Sequence, residues 1–307
     1  MKSAQFMLRF GQIRKILRQY CQDMKRSAFF LMVAIIGLSL LFSASFAAGQ
    51  DFRNVVEMKL KRERSPALSK LCPIDSDVVA ARVFRDYGAI YVSNTRGASP
   101  KCVFDSEDEV DLFQSSTAHE TRTVGGVSVT LQADAMKELL AAVQEAGKKG
   151  VSITPRGGSE ASTRSFEKTA ELWRSRFDPG LRHYVANGSI KRAEADRVRR
   201  MAIHDQVAAV LEWEKKGLYF STDLSKSILY SVAAPGASQH IFMLALDVAQ
   251  FSNGEVRRIM ARHGWFQTVK SDLPHFTFLG RSRSELPSLG LTPVTVGGQE
   301  FWIPAMD

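Results

Sequence analysis

The run SQHIFMLALDV, from Ser238 to Val248, places polar side chains inside an otherwise apolar segment. His240 lies near its start, and Asp247 follows seven residues later, directly after Leu246. A carboxylate embedded among apolar side chains is costly unless a charged or polar group pairs with it. A bound metal ion is one such partner, so this run raises the hypothesis of a metal site.

A second polar group stands at the edge of a later predicted strand. In the run SDLPHF, residues 271–276, Asp272 precedes His275 by three residues. Two imidazoles, from His240 and His275, and the carboxylate of Asp247 would form a three-ligand zinc set with an open position, as catalytic zinc sites have. Asp272 beside that set could act as the base on an attacking water. The spacing of these residues does not by itself distinguish a metal site from ordinary structural histidines, which are common at strand edges.

Three separated segments, taken together, strengthen the metal hypothesis. The first, TRSFEKT at residues 163–169, parallels a Tyr-Arg-Ser-x-x-x-Gln segment that opens a helix. The second, residues 238–247, parallels Ser-x-His-x-x-Gly-x-Ala-x-Asp. The third, Gly-Trp at 264–265 followed by residues 272–276, parallels Gly-Trp and Glu-x-Trp-His-Phe. In order and approximate spacing, residues 125–282 resemble the zinc D-alanyl-D-alanine carboxypeptidases of the vancomycin-resistance type, with their dipeptidase and endolysin relatives.

The resemblance implies a zinc cofactor held by His240, Asp247 and His275, and hydrolysis of peptidoglycan stem peptides as the activity. It implies that Arg164 stabilises the scissile carbonyl or its oxyanion, a task suited to a fixed cationic donor. Ser238 would contact the substrate, and Asp272 would stand for the catalytic glutamate. The resemblance also implies a single zinc-peptidase domain with a small central antiparallel sheet flanked by helices.

Three departures from the family pattern bear on the site. Met243 replaces a glycine, Pro274 replaces a tryptophan, and Asp272 is one methylene shorter than glutamate. These changes leave open a non-catalytic cell-wall-binding module, while an endopeptidase would share every ligand with a D,D-carboxypeptidase. Arg156, which precedes two glycines, is an alternative to Arg164 as the catalytic arginine.

The order of predicted elements favours an α+β fold, because short strands and helices mix without regular βαβ alternation. Residues 49–75 are interpreted as a linker or as one helix that ends before Pro66, and residues 79–93 have strand-like spacing. Further strands are predicted at 127–131, 151–154, 276–279 and 300–303. Further helices are predicted at 133–149, at 165–177 with a stop at 178–180, at 189–216, and at 254–263.

The N-terminus predicts export. The formal charge of the chain is +9, and residues 1–47 contribute +6 of it, so the near-neutral remainder argues against a nucleic-acid partner. An uncharged run from Ser27 to Gln50 follows basic residues and contains Ser45-Phe46-Ala47, as a cleavable signal does. An uncleaved membrane anchor at residues 28–47 is the alternative, and translation could start at Met1 or Met24.

We therefore expect a leader at 1–47, an N-terminal extension at 48–122, and the zinc-peptidase domain at 123–307. The location would be periplasmic or extracellular, and the chain would be a monomer whose partner is a peptidoglycan peptide. In an oxidising compartment Cys72 and Cys102 would form a disulfide that closes a loop of about 30 residues, with two free thiols as the alternative.

The other motifs have ordinary interpretations. The acidic run DSEDEVD, residues 105–111, lacks the glycine of a calcium loop and is interpreted as a solvated face. Trp173 and Trp265 are expected in the core, and His263 at a helix C-terminus. Three further histidines have no ligand-like context: His119, His183 and His204.

Overall fold

The structure, a computed structural model, describes residues 51–95 and 101–306. The predicted leader lies outside the described residues. The helices are α1 Phe52–Arg62, α2 Leu68–Leu71, α3 Val78–Tyr87, α4 Glu107–Ser116, α5 Ala133–Lys148, α6 Phe166–Ala186, α7 Arg192–Arg199, α8 Ile203–Glu214 and α9 Gly254–Arg262, with 3₁₀ turns at Gly88–Val92, Ser159–Ala161, Ile228–Tyr230 and Leu286–Leu289. The strands are β1 His119–Val124, β2 Val127–Gln132, β3 Ala245–Asp247, β4 Trp265–Phe266, β5 His275–Phe278, β6 Leu291–Val296 and β7 Gln299–Pro304.

These strands form small antiparallel sheets, which together with the helices confirm the α+β class. Strands β1 and β2 make one hairpin, and β6 and β7 make another. The third sheet has the order β3-β5-β4, so β5 is its central strand. In the described ranges no helix is long and apolar enough to cross a membrane.

The hydrophobic core is continuous from α1 to β7. It includes residues from both sides of the domain boundary predicted at 122/123, and that division stays a prediction. Trp173 and Trp265 are fully buried within the core, as expected. The disulfide between Cys72 and Cys102 is present and fastens the segment after α2 to the segment before α4. Both cysteines are buried.

The prediction of a strand at residues 79–93 is wrong. This segment forms α3 and the following 3₁₀ turn. Asp77 caps α3, because its carboxylate accepts hydrogen bonds from the amides of Val79 and Ala80. The buried positions recur every three to four residues, which is the helical period: Val79, Ala80, Val83, Phe84 and Tyr87.

The prediction that a helix stops at residues 178–180 is also wrong, since α6 continues through Pro179. Gly180 admits the ring of Phe220 against the helix, where a Cβ atom would lie 2.5 Å from the ring. Burial of one uninterrupted apolar face outweighs the helix hydrogen bond that proline removes. That face includes Trp173, Phe177, Leu181 and Tyr184.

Two further predictions need correction. Residues 151–154 form no strand. The pairing beside them is a single antiparallel bridge between Pro155 and Val248, in which Ala249 donates to the Thr154 carbonyl, while the amide of Thr154 donates to the side-chain oxygen of Gln250. The single helix predicted at 189–216 is two helices, α7 and α8. The side chain of Gln206 donates to the carbonyls of Arg199 and Met201, which satisfies the backbone where the helix breaks.

The acidic run behaves as predicted, with its aspartates exposed. The Ser106 side chain caps α4 by accepting from the amide of Glu109, and the acids of the first turn suit the positive end of the helix. Within residues 49–75, α1 ends before Pro66, as one of the two expectations had it. The predicted strands at 127–131, 276–279 and 300–303 and the helices at 133–149 and 254–263 are confirmed within one or two residues.

Candidate metal centre

The pairing of β3 with β5 brings two of the predicted ligands together. Asp247 lies directly opposite His275 in the antiparallel register. Side chains of directly opposed residues point to the same face of a sheet. The pairing of the two strands therefore brings together two predicted ligands that are 28 residues apart in the sequence.

His240 reaches the same point from a tight turn before β3. The amide of Met243 donates to the carbonyl of His240, and Met243 has a left-handed backbone with φ of 54°. Left-handed conformation favours glycine, and Met243 is the position where the resembled family has one. The methionine side chain is buried, with 1% exposed, so it packs into the interior beside the turn.

Three ligand atoms converge on one point. His240 Nε2 lies 3.1 Å from His275 Nδ1 and 3.4 Å from Asp247 Oδ1, and the last two atoms are 3.3 Å apart. Zinc bound tetrahedrally at about 2.0–2.1 Å requires ligand atoms about 3.3 Å apart. The three residues therefore fit a zinc ion, and they form a group that could hold a metal.

The protonation states of the group suit metal binding. Burial lowers the pKa of His240 to about 4, although Asp247 acts in the opposite direction, so the ring is neutral at pH 7. Burial alone would raise the pKa of Asp247, but the adjacent His240 and His275 outweigh it and hold that pKa well below its ordinary value. Metal ligands must be a neutral imidazole and an ionised carboxylate.

Gln239 orients His275, and the sequence interpretation missed this role. Its Oε1 lies 2.8 Å from His275 Nε2 and also accepts from the hydroxyl of Thr277. Its Nε2 donates to the carbonyl of Tyr87 at 2.7 Å. Because the amide oxygen of Gln239 accepts a hydrogen bond from Nε2–H of His275, the Nδ1 atom of His275 carries a lone pair, which faces the predicted metal position. Only its place beside His240 in the sequence could have signalled it.

The centre opens on a cavity of about 270 Å³, and the two ligand histidines form part of its wall. The same wall contains Arg164, Ser238 and Asp272. Asp272 is partly buried in the turn before β5. Burial raises the pKa of Asp272, and the nearby charge of Asp247 acts in the same direction while His275 opposes both. The predicted acid, arginine and serine thus line one cavity beside the predicted ligands.

Arg164 is bonded to one of the three predicted ligands. Its Nη2 donates to Asp247 Oδ2 at 2.9 Å, the oxygen that does not face the histidines, and its Nε donates to the carbonyl of Glu160 at 3.2 Å. Arg156, the alternative arginine, instead places its guanidinium over the ring of Phe251 at 5.4 Å. The cavity lining includes Arg164 and not Arg156.

The other histidines stay apart from the centre. His263 lies at the end of α9 and contacts two glutamates. His204 lies 2.9 Å from the carboxylate that caps α3, while His119 and His183 bond to neighbours in sequence. In the described ranges, the group of the three predicted ligands is the one that has metal-ligand geometry.

Comparison with known proteins finds one solved structure with low similarity to this chain. No protein-family model and no curated protein matches the chain. A crystal structure of a variant of the vancomycin-resistance D,D-pentapeptidase VanY, from a VanB-type resistance cassette and in complex with Zn(II), is similar at 18% identity and a TM-score of 0.30. The overlap covers 54% of this chain and 82% of that one. Similarity at this level carries no functional argument, so the functional assignment depends on the residues of the site.

Proposed function

We propose that this protein is a zinc peptidase that acts outside the cytoplasm on peptidoglycan stem peptides and removes the terminal D-alanine. One observation carries the proposal. The converging atoms of His240, Asp247 and His275 lie beside a cavity that also contains an acid, Asp272, and an arginine, Arg164. This is the set of groups that metal-assisted amide hydrolysis needs. The motifs that resemble the D-alanyl-D-alanine carboxypeptidases supply the substrate class.

Each residue has a defined task in this proposal. Zinc held by the three ligands would supply a Lewis acid that polarises the peptide carbonyl. The Asp272 carboxylate takes a proton from the water whose oxygen bonds to the carbonyl carbon. It then gives that proton to the leaving amine as the C–N bond breaks. Ser238 contacts the peptide from the wall of the cavity.

Arg164 has two tasks. Its bond to Asp247 Oδ2 holds that carboxylate so that Oδ1 faces the histidines. Its Nη1 has no hydrogen bond within the described part of the chain, and we assign to it the oxyanion that forms on the scissile carbonyl. A guanidinium can serve both tasks because its donors point in fixed, different directions.

Substitution of Asp272 tests the proposal. Asp272→Asn should keep zinc and lower hydrolysis of a stem pentapeptide by about 10²–10⁴-fold, the usual contribution of general acid–base catalysis. Asp272→Glu should stay active if the cleft accepts the longer side chain. The exposed acid Asp205 on α8 offers a matched control, and Asp205→Asn should behave as wild type. Mass spectrometry of muropeptides incubated with zinc-loaded protein identifies the bond cut.

A cell-wall-binding module is the second candidate, and the short side chain of Asp272 favours it. A catalytic group displaced by about 1 Å can cost roughly a hundredfold in rate. If wild type and both Asp272 variants bind peptidoglycan equally and none cuts it, the binding function replaces the peptidase. If Asp272→Asn cuts as fast as wild type, Asp272 is not the base. Release of an internal fragment instead of D-alanine would identify an endopeptidase.

A further inference from the structure

A second arginine lines the same cavity, and the proposed mechanism does not use it. Arg176 lies in the middle of α6, and its side chain forms part of the cavity wall. Its Nε is buried and has no hydrogen-bond acceptor in the part of the chain that the structure describes. Buried donors without a partner are rare in folded proteins, and a bound ion or ligand is one explanation for them.

The two cavity arginines differ in their partners. Arg164 is held by Asp247 and by a backbone carbonyl. Within the described residues Arg176 has one side-chain hydrogen bond, from Nη1 to the hydroxyl of its neighbour Ser175 at 3.0 Å. Among residues 51–95 and 101–306, it forms no ion pair with a carboxylate. Its positive charge is thus available to a ligand of the cavity.

The charges in and beside the cavity favour an anionic ligand. Arg164, Arg176 and Asp272 line the cavity, and Asp247 lies beside it, bonded to Arg164. The two negative and two positive side-chain charges therefore cancel without a metal. A divalent ion on the three ligands would leave the cavity positive. A planar carboxylate can accept two parallel hydrogen bonds from a guanidinium, and that match is stronger and more directional than a neutral hydrogen bond.

We propose that Arg176 binds the free α-carboxylate at the end of the peptide, so that the cavity takes a chain terminus rather than an internal segment. This inference rests on the proposed peptidase function and names the feature of the substrate that the enzyme recognises. The volume of about 270 Å³ is at the lower limit of ordinary ligand sites, which suits a short chain end. Apolar neighbours such as Leu229 and Val232 suit a small side chain such as that of alanine.

The test compares a stem pentapeptide that ends in free D-alanine with the same peptide ending in an amide. The two peptides share every side chain, so they differ at the terminal carboxylate alone. Wild type should cleave the acid with a KM about ten- to a hundredfold below that for the amide, as expected for a charge-assisted hydrogen bond. Arg176→Gln should raise KM for the acid to the value for the amide, and Arg176→Lys should restore part of the preference.

Two controls make the outcome specific. Arg174, on the exposed side of the same helix, has the same charge, and Arg174→Gln should leave the KM for both peptides unchanged. Binding of both peptides to zinc-loaded Asp272→Asn protein, measured by calorimetry, gives the acid-to-amide preference without turnover.

The results separate this inference from the proposed function. If wild type cuts both peptides equally well, or if Arg176→Gln keeps the preference for the acid, the inference is wrong and the peptidase stands. If nothing is cut but the acid binds more tightly and only in the presence of Arg176, the inference stands and the peptidase is wrong. Equal binding of acid and amide without any hydrolysis overturns both.

Discussion

Histidine meets carboxylates in two regions of this molecule, with different results. Between α5 and α9, near the surface, His263 lies 3.1 Å from Glu138 through Nδ1 and 3.1 Å from Glu145 through Nε2. The two contacts use opposite sides of one ring, so one ion could not touch all three residues. At the sheet of β3 and β5, by contrast, the three predicted ligands direct their atoms at one another.

The difference lies in direction and burial rather than in composition. The surface cluster also contains Arg262 and Lys149, whose charges balance its glutamates. The buried cluster has one cation, Arg164, on the outer oxygen of Asp247, and leaves the inner oxygen to the histidines. In the surface cluster, histidine and carboxylates are close but point in different directions, which is typical of ion pairs. In the buried cluster their lone pairs point at one position, which is the arrangement that a metal site needs.

The largest expected effect separates the two regions by their response to zinc. Zinc should stabilise wild type by about 2.7 kcal/mol at a free concentration roughly one hundred times its Kd. His240→Ala should abolish this response because a site with three protein ligands loses one of them. His263→Ala should retain it. Melting temperature with and without zinc measures both, and a zinc response that His263→Ala removes would reverse the comparison.

A smaller effect should follow from the residue that orients His275. Gln239→Leu keeps the volume but removes the acceptor at His275 Nε2. Loss of such an outer partner typically weakens metal binding by about 10–100-fold. Gln206→Leu is the control, since Gln206 bonds to backbone carbonyls on α7 and its loop. Competition with a chelator of known affinity measures the change, and equal zinc affinity in both variants would exclude the orienting role.

The turn that presents His240 gives a prediction about stability. Met243→Ala loses the packing of a buried side chain, at about 2–5 kcal/mol. Met243→Gly loses the same packing but relieves a left-handed residue, which costs roughly 1–2 kcal/mol in L-residues. The glycine variant should therefore be the more stable of the two, the reverse of the usual order. Urea unfolding measures the difference, and the ordinary order would mean that the turn is not strained.

The smallest effect concerns acid stability of the surface cluster. Arg262, above all, lowers the pKa of Glu145 to about 2 from 4.5. A folded-state pKa below the unfolded value contributes stability above pH 4.5, and that contribution is lost as the pH falls towards 2. Wild type and Glu145→Gln should thus differ in melting temperature at about pH 5 and converge near pH 2. If the difference in melting temperature between the two proteins stays constant over this pH range, the ionised carboxylate of Glu145 does not cause the stabilisation.

The sequence allowed the prediction of the ligand types, because an aspartate inside an apolar run and an acid before a histidine are visible in the order of residues. The strand that bears His275 could also be located from the order of residues. The helix α3 was missed because Val79 to Tyr87 contains the β-branched and aromatic residues that strands favour. Tertiary packing of one helical face decided the outcome.

Parts of the site depend on contacts that no local pattern encodes. Gln239 supports His275 only because β5 lies beside the turn before β3. Gln114, from α4, donates to the carbonyls of Arg164 and Ile241. It thereby joins the segment of Arg164 to the turn that bears His240. These residues are far apart in sequence, so their roles depend on the assembled fold.

Anomalous diffraction at the zinc edge, from crystals of zinc-loaded wild type, tests the proposed metal centre most directly. We predict one strong peak per chain, within about 2.0–2.2 Å of His240 Nε2, Asp247 Oδ1 and His275 Nδ1. A peak beside His263 and its glutamates, or crystals of folded protein without a peak at the three ligands, would contradict the proposed centre.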